Sequence, residues 1–282
     1  MINQALELGE TLHDQSDAGK WANIADGIKT AAYQRLWDGE AGLYRDNETT
    51  TLHPQDGNSW AVKANLTQSE DQTAQISSSL RSRWGPYGAP APEAGATISP
   101  FIGGFELQTH YVANDADSAL DLMRLQWRFM LDDPRMTNST FIEGYSTDGS
   151  LHYAPYTNDP RVSHSHGWST GPTAALTFYA GGLHLTGPAG ATWRIAPQPG
   201  DLTMVDTGFS TEQGLFSSTF RREGGDYTEF SFTTPQGTMG DLELGPTEGT
   251  LVSEQGDRVE LVRGVATCVK GGSWTLERSE CT

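Results

Sequence analysis

The sequence predicts two parts: a mainly α-helical portion over residues 1–185, then an all-β antiparallel sandwich over residues 186–282. Three observations carry this expectation. Apolar residues in the first part recur at helical spacing, as in Trp21, Ile24, Ile28 and Leu36. From Pro188 short alternating runs replace that period. Glycine-rich turn signals separate those runs.

Taken in order, Ile2, Ala5, Leu6, Leu8 and Leu12 already lie near helical spacing, so the chain begins inside a helix. Trp21, Ile24, Ile28, Ala31, Ala32 and Leu36 then form one stripe expected to face inward. A further helix covers roughly residues 69–84, with Ile76 and Leu80 on one face, and the loop WGPYGAPAPEAGA stops it. Phe101, Phe105, Leu107 and Tyr111 open the next. Asp115 is placed to cap another, in which Ala116, Leu120, Met123, Trp127 and Met130 face inward. The last helix covers residues 170–180, with Pro172 in its first turn and Gly181-Gly182 ending it. Strands are expected at 192–195, 215–220, 227–232, 242–244, 259–262 and 265–269, with turns at EGGD, PQG, EQGD and KGGS.

The 282 residues carry 36 acids against 18 bases, a formal charge of −18. Like charge repels nucleic acid and anionic membranes at long range, so neither is an expected partner. A neutral ligand such as a sugar meets no such penalty. No apolar run is long enough to span a bilayer. The first residues lack the basic and apolar regions of a signal peptide. Sequons at Asn47, Asn65 and Asn138, and a plausible disulfide between Cys268 and Cys281, nevertheless point to an oxidising, extracellular setting. The two together lead us to expect a parent protein that is secreted and longer at its N-terminus.

Loops of the helical part gather aromatic and acidic residues: Asp56, Asn58 and Trp60; Trp84 and Tyr87; Glu143 and Tyr145; His164, His166 and Trp168. Aromatic faces with a few acids and amides are a mixture suited to sugar pockets. Glycosidic cleavage needs two carboxyls, one giving a proton to the leaving oxygen and one activating water or attacking carbon. Each candidate also has a packing or turn alternative. Trp21, Trp37 and Trp127 are periodic and read as core; Asp56 could cap the segment starting at Asn58; Glu106 reads as an exposed helical acid; Asp148 precedes Gly149 in a turn. Glu143 itself could be a turn acid. His164 and His166 have no acid or cysteine near them in sequence, so no metal and no cofactor are expected. The nucleophile elbow, the P-loop and the dinucleotide fingerprint are all lacking from the sequence.

The ordered segments LWDGEAGLYRDN, QDGNSWAVKANL, SPFIGGFELQTHY, LDLMRLQWRFML, STFIEGY, SHSHGWSTGPTAAL and WRIAPQPGDL resemble the C-terminal part of an α-L-rhamnosidase of glycoside hydrolase family seventy-eight. The resemblance runs over nearly the whole chain. It implies the last part of an (α/α)6 six-hairpin barrel, apparently incomplete, and a C-terminal β-sandwich. It also implies inverting hydrolysis of terminal α-L-rhamnose from glycosides or polysaccharides. By the same resemblance Glu143 is the general base and His166 lines the sugar site, while Trp60, Trp84 and Tyr145 fall at aromatic wall positions. Asp56 is a further substrate-site candidate. The acid-rich segment that carries the family's general acid has no counterpart here, so the chain alone is expected to be weakly active or inactive. Asp56, Glu106 and Asp148 are the acids that could replace it. A non-catalytic sugar-binding or structural remnant is the alternative.

Overall fold

The computed structural model describes residues 18–278. The expected helix at Ile2–Leu12 and the Cys281 end of the expected disulfide lie outside the described residues. The chain divides into two compact units, Met1–Pro172 and Thr173–Thr282.

The first unit is helical. Helix α1 (Ala18–Leu36) leads into a two-strand ladder, β1 (Trp37–Asp38) with β2 (Leu43–Tyr44). Helices α2 (Gln55–Lys63) and α3 (Glu70–Arg81) follow, and Ser69 starts α3 by accepting the Gln72 N–H. These elements close on a small core of Leu43, Tyr44, Ala61, Val62, Ile76 and Leu80, with Ala32 and Leu36 packed against it. The α1 stripe is corrected: Ile24 and Ile28 are exposed, because the helix meets this core through Ala32 and Leu36 near its C-terminal end.

Strand β3 (Thr97–Ile98) pairs with β4 (Tyr145–Ser146), tying the entrance of α4 (Pro100–Val112) to the Glu143 loop. In α4 the buried face is Leu107, Thr109, His110 and Tyr111; Phe101 stays exposed. Asp115 caps α5 (Ala116–Leu122) by accepting the Ser118 N–H. That helix passes through a π-turn (Met123–Trp127) into α6 (Arg128–Asp132). The extra residue in a π-turn shifts the helical phase. Here the turn carries Gln126 and Trp127 inward, and the Trp127 indole N–H donates to the Ser169 carbonyl at 2.7 Å.

Helix α7 (Gly171–Ala175) also ends in a π-turn (Leu176–Ala180). Thr177 and Phe178 of that turn meet Thr207 and Phe209, so it packs with the sheet that follows. The sheet has eight strands: β5 (Leu183–Leu185), β6 (Thr192–Ile195), β7 (Met204–Thr211), β8 (Gly214–Glu223), β9 (Asp226–Glu243), β10 (Thr250–Ser253), β11 (Arg258–Glu260) and β12 (Val265–Glu277). The ladders are antiparallel except β6 with β9, which is parallel and corrects the all-antiparallel expectation. Strand β9 is long enough to serve two sets of neighbours. Its first half pairs with β8 and its second half with β6, while β12 follows it from Ser231 to Glu243.

The PQG and KGGS signals are therefore not turns between strands. They are corners within β9 and β12. At the corner a Cβ on Gly271 would sit 1.8 Å from the Pro235 carbonyl oxygen, so a bare backbone is required. The bend closes the sheet on one core containing Trp193, Phe216, Phe220, Phe230, Phe232, Leu251 and Trp274. EGGD and EQGD are true hairpin turns, with Gly224, Gly225 and Gly256 at positive φ. Cys268 is exposed on β12 with φ 56°, where a register shift marks a bulge.

Candidate active site

The Glu143 loop is built by lacing residues 140–145 to residues 163–169. The Glu143 N–H donates to the Ser163 carbonyl at 2.8 Å, and the His166 N–H to the Phe141 carbonyl at 2.9 Å. Thr140 Oγ1 donates to the His164 carbonyl at 2.6 Å, and Ser169 Oγ to the Ile142 carbonyl at 2.8 Å. Ile142 and Tyr145 on either side are buried and anchor the loop. Gly144 between them lies so close to Tyr153 that a Cβ would fall 2.3 Å from its ring.

Glu143 is itself 2% exposed. A buried carboxylate must be hydrogen-bonded or lose its charge. The Tyr156 hydroxyl donates to Oε1, and the Ser163 N–H donates to Oε2 at 3.2 Å. His166 Nδ1 lies 3.7 Å from Oε2. The His166 ring packs on Trp168 with centroids 4.2 Å apart, and the Trp168 indole N–H reaches the Glu143 carbonyl at 3.4 Å. Glu143, Tyr156, Ser163, His166 and Trp168 thus form one cluster. Neither Tyr156 nor Ser163 belongs to a sequence motif; both reach Glu143 across intervening loop.

The other expected site residues stand elsewhere. Tyr145 is fully buried; its hydroxyl donates to the Tyr87 carbonyl at 2.7 Å and its ring packs on Phe129, so it is core. Trp84 gives its indole N–H to Glu106 Oε1 at 2.6 Å and meets the His110 ring edge-on. Asp56 lies in the first turn of α2, where Pro54 holds the N-cap position, and so is not the expected cap. It borders a recess of about 300 Å³ with Pro54, Ala61 and Leu66. Trp60 is exposed and packs its ring on Phe105, centroids 4.6 Å apart.

Glu106 is 1% exposed, which overturns its reading as a surface acid. Burial pushes its carboxyl up, but the hydrogen bond and charge of His110, with Trp84 and Gln55, bring the net shift below the ordinary value. That direction runs against the raised carboxyl that a proton donor needs. Asp148 is exposed, and the Ser150 hydroxyl and N–H also hold its carboxyl below the ordinary value. Among the described residues no group of three His, Cys, Asp or Glu is arranged to hold a metal, and no helix is long and apolar enough to cross a membrane.

The described residues thus combine a helical unit that holds a buried, tyrosine-bonded carboxylate beside exposed aromatic rings with a folded β-sheet. Residues 182–259 match the family described as the bacterial alpha-L-rhamnosidase C-terminal domain. No curated protein matches the chain in sequence. The fold is similar to that of Streptomyces avermitilis α-L-rhamnosidase complexed with L-rhamnose, with TM-score 0.69 and 15% identity over 98% of this chain and 25% of that one. It is similar to native α-L-rhamnosidase from Aspergillus terreus, with TM-score 0.67 and 16% identity over 100% of this chain and 29% of that one. A family seventy-eight rhamnosidase of Bacillus sp. GL1 gives TM-score 0.61 and 22% identity over 80% of this chain and 23% of that one. The chain is α-L-rhamnosidase-like in fold over nearly its whole length, and it spans under a third of each of these proteins.

Proposed function

We propose that this chain carries the general-base half of an inverting α-L-rhamnosidase. In this reading its helical unit is the C-terminal part of an (α/α)6 barrel. The observation that supports it most is the Glu143 carboxylate, buried yet held by Tyr156 and Ser163 with His166 alongside. Ionised Glu143 takes a proton from a water as that water attacks the anomeric carbon. His166 and the Trp168 face contact the sugar. The substrate is a terminal α-L-rhamnoside, and a parent that is secreted and N-glycosylated belongs to the same proposal; Asn47, Asn65 and Asn138 are all exposed.

Inversion needs a second carboxyl about 6.5–9.5 Å from the first, kept protonated until it donates. Glu106 and Asp148 do not suit that role, since both carboxyls are held toward the ionised form. The proton donor is therefore assigned to neither. Asp56 is the remaining acid of the three, and a chain that binds rhamnosides without turning them over is the second reading.

The test is release of the aryl group from an aryl α-L-rhamnoside by the chain and by Glu143→Gln, with the anomer of the product followed by NMR. Loss of activity in the variant, with β-L-rhamnose released first by the parent chain, supports the base assignment. Equal turnover by both rejects it. Rhamnoside binding without turnover in either selects the binding reading.

A further inference from the structure

We propose that the rings Trp168, Phe101, Phe105 and Trp60 form a binding track for a neutral oligosaccharide that extends away from Glu143; this rests on the rhamnoside reading of the Glu143 cluster. The four rings are continuous. Trp168 stacks on Phe101 at 5.2 Å between centroids with 28° between planes. Phe101 meets Phe105 at 5.0 Å, and Phe105 meets Trp60 at 4.6 Å. Three of them are open to solvent: Trp60 is 48% exposed, Trp168 43% and Phe101 38%.

A single exposed aromatic needs no explanation, but a contiguous row marks a contact surface. Two features choose its occupant. One end of the row is joined to the candidate site, through the Trp168 indole on the Glu143 carbonyl and the His166 ring on Trp168. A ligand whose terminal unit sits at Glu143 is thereby led onto the rings. The row is also flanked by a polar group: Lys63 lies over Phe105, its third ring, at 5.7 Å and donates to Gln108. Apolar faces interrupted by hydrogen-bonding groups fit a sugar, whose C–H faces are apolar and whose rim is hydroxyl. The chain's charge of −18 favours a neutral saccharide over an acidic one.

The row was not visible as such in sequence. Trp60, Phe101, Phe105 and Trp168 come from three separate segments, and the sequence groups Phe101 and Phe105 only with Leu107 and Tyr111 as the opening of a helix.

The test is calorimetric titration of the full chain with L-rhamnose and with a neutral, rhamnose-terminated tetrasaccharide, repeated on Trp60→Ala and Trp168→Ala. Circular dichroism checks that the variants fold. The track predicts that the tetrasaccharide binds more tightly than rhamnose. Trp60→Ala should cost the tetrasaccharide about threefold to tenfold in Kd, the scale of one aromatic contact, and cost rhamnose less. Equal affinity for both ligands, with Trp60→Ala neutral, overturns the track and leaves the rhamnoside reading standing. No binding of either ligand overturns both. Self-association of the chain that Trp60→Ala abolishes, without saccharide binding, makes the row a protein interface and also overturns the track.

Discussion

The Tyr156 hydroxyl donates to Oε1 of Glu143, which joins an otherwise unremarked loop tyrosine to the buried carboxylate. The bond runs both ways in its effects. The hydrogen bond to Glu143 raises the Tyr156 phenol above its ordinary value, because losing that proton would set two anions against each other. It also fixes the direction in which Glu143 faces. We predict that Tyr156→Phe leaves the fold intact and lowers turnover of an aryl rhamnoside by about tenfold to a hundredfold, as loss of orientation does. The bond has a second readout that needs no turnover. In a spectrophotometric phenol titration, one tyrosine should ionise at lower pH in Glu143→Gln than in the parent chain. An unchanged titration curve would remove Tyr156 from the site.

Acid should loosen the helical unit through Glu106 and Asp115. Both carboxyls are raised by burial, and in both this is more than offset: for Glu106 by His110, Trp84 and Gln55, for Asp115 by Ser118, His110 and Ser77. Their net folded-state values lie below the ordinary 4.5 and 3.8. A depressed carboxyl contributes stability above its unfolded value and loses it as pH falls through its folded value. Glu93 works in the opposite direction, because burial raises it. We expect the urea midpoint to be level near neutrality and to fall as pH drops below about 5. The fall should be shallower in Glu106→Gln. A midpoint independent of pH down to 3 would contradict this account.

Two glycines in one segment should behave in opposite ways. A Cβ on Gly171 would lie 2.5 Å from the Gly104 Cα and 3.5 Å from the Trp127 ring. Backbone cannot step aside as a flexible side chain can, so Gly171→Ala should cost about 1–3 kcal/mol or more, the scale of an overpacked core. Gly167 has open space on that side, so Gly167→Ala should change stability little. Denaturant unfolding of the two variants measures the difference. Equal costs would mean that the close approach of α4 to the start of α7 is not what positions the His166–Trp168 segment.

What the sequence made legible follows from how local each signal is. The Asp115 cap is local and stands where expected, accepting the Ser118 N–H; Ser69 caps α3 in the same way, by accepting the Gln72 N–H. The strand at Thr192–Ile195 and the EGGD and EQGD hairpins are equally local. The two π-turns were not legible, since an extra residue in a helical turn leaves no compositional mark. The corners at Pro235–Gly237 and Gly271–Gly272 read as turns, because a bend in a long strand demands the same glycines as a hairpin. The site divides in the same way. Glu143 stands out by its apolar neighbours and His166 only through the family resemblance, whereas Tyr156 and Ser163 approach Glu143 through the folded loop. Trp84 and Tyr145 have the chemistry of a sugar wall, but Glu106 and the Tyr87 carbonyl take their polar atoms into the interior.

Trp193 offers the sharpest test of the folded sheet. It is buried on β6, packs on Phe232 of β9 with centroids 5.6 Å apart, and donates its indole N–H to Thr238 Oγ1 at 3.0 Å. Thr238 lies at the β9 corner and in turn donates to the Pro235 carbonyl at 2.6 Å. One side chain thus serves the core and the bend together. Trp193→Ala should destabilise the sheet unit by about 3–5 kcal/mol, the cost of emptying a large aromatic site. Trp193→Phe keeps most of the packing but leaves the Thr238 hydroxyl without that donor, so its cost should be smaller. Gly240→Ala tests the same contact from the other side, because its Cβ would fall 2.2 Å from the Trp193 ring. Trp193→Ala removes the ring part of that clash but leaves the Trp193 carbonyl oxygen 2.1 Å from the same Cβ, so the double variant should stay badly destabilised yet be less damaged than the sum of the two single changes. Strict additivity in denaturant unfolding would mean that Trp193 and Gly240 do not share the space the folded sheet assigns them.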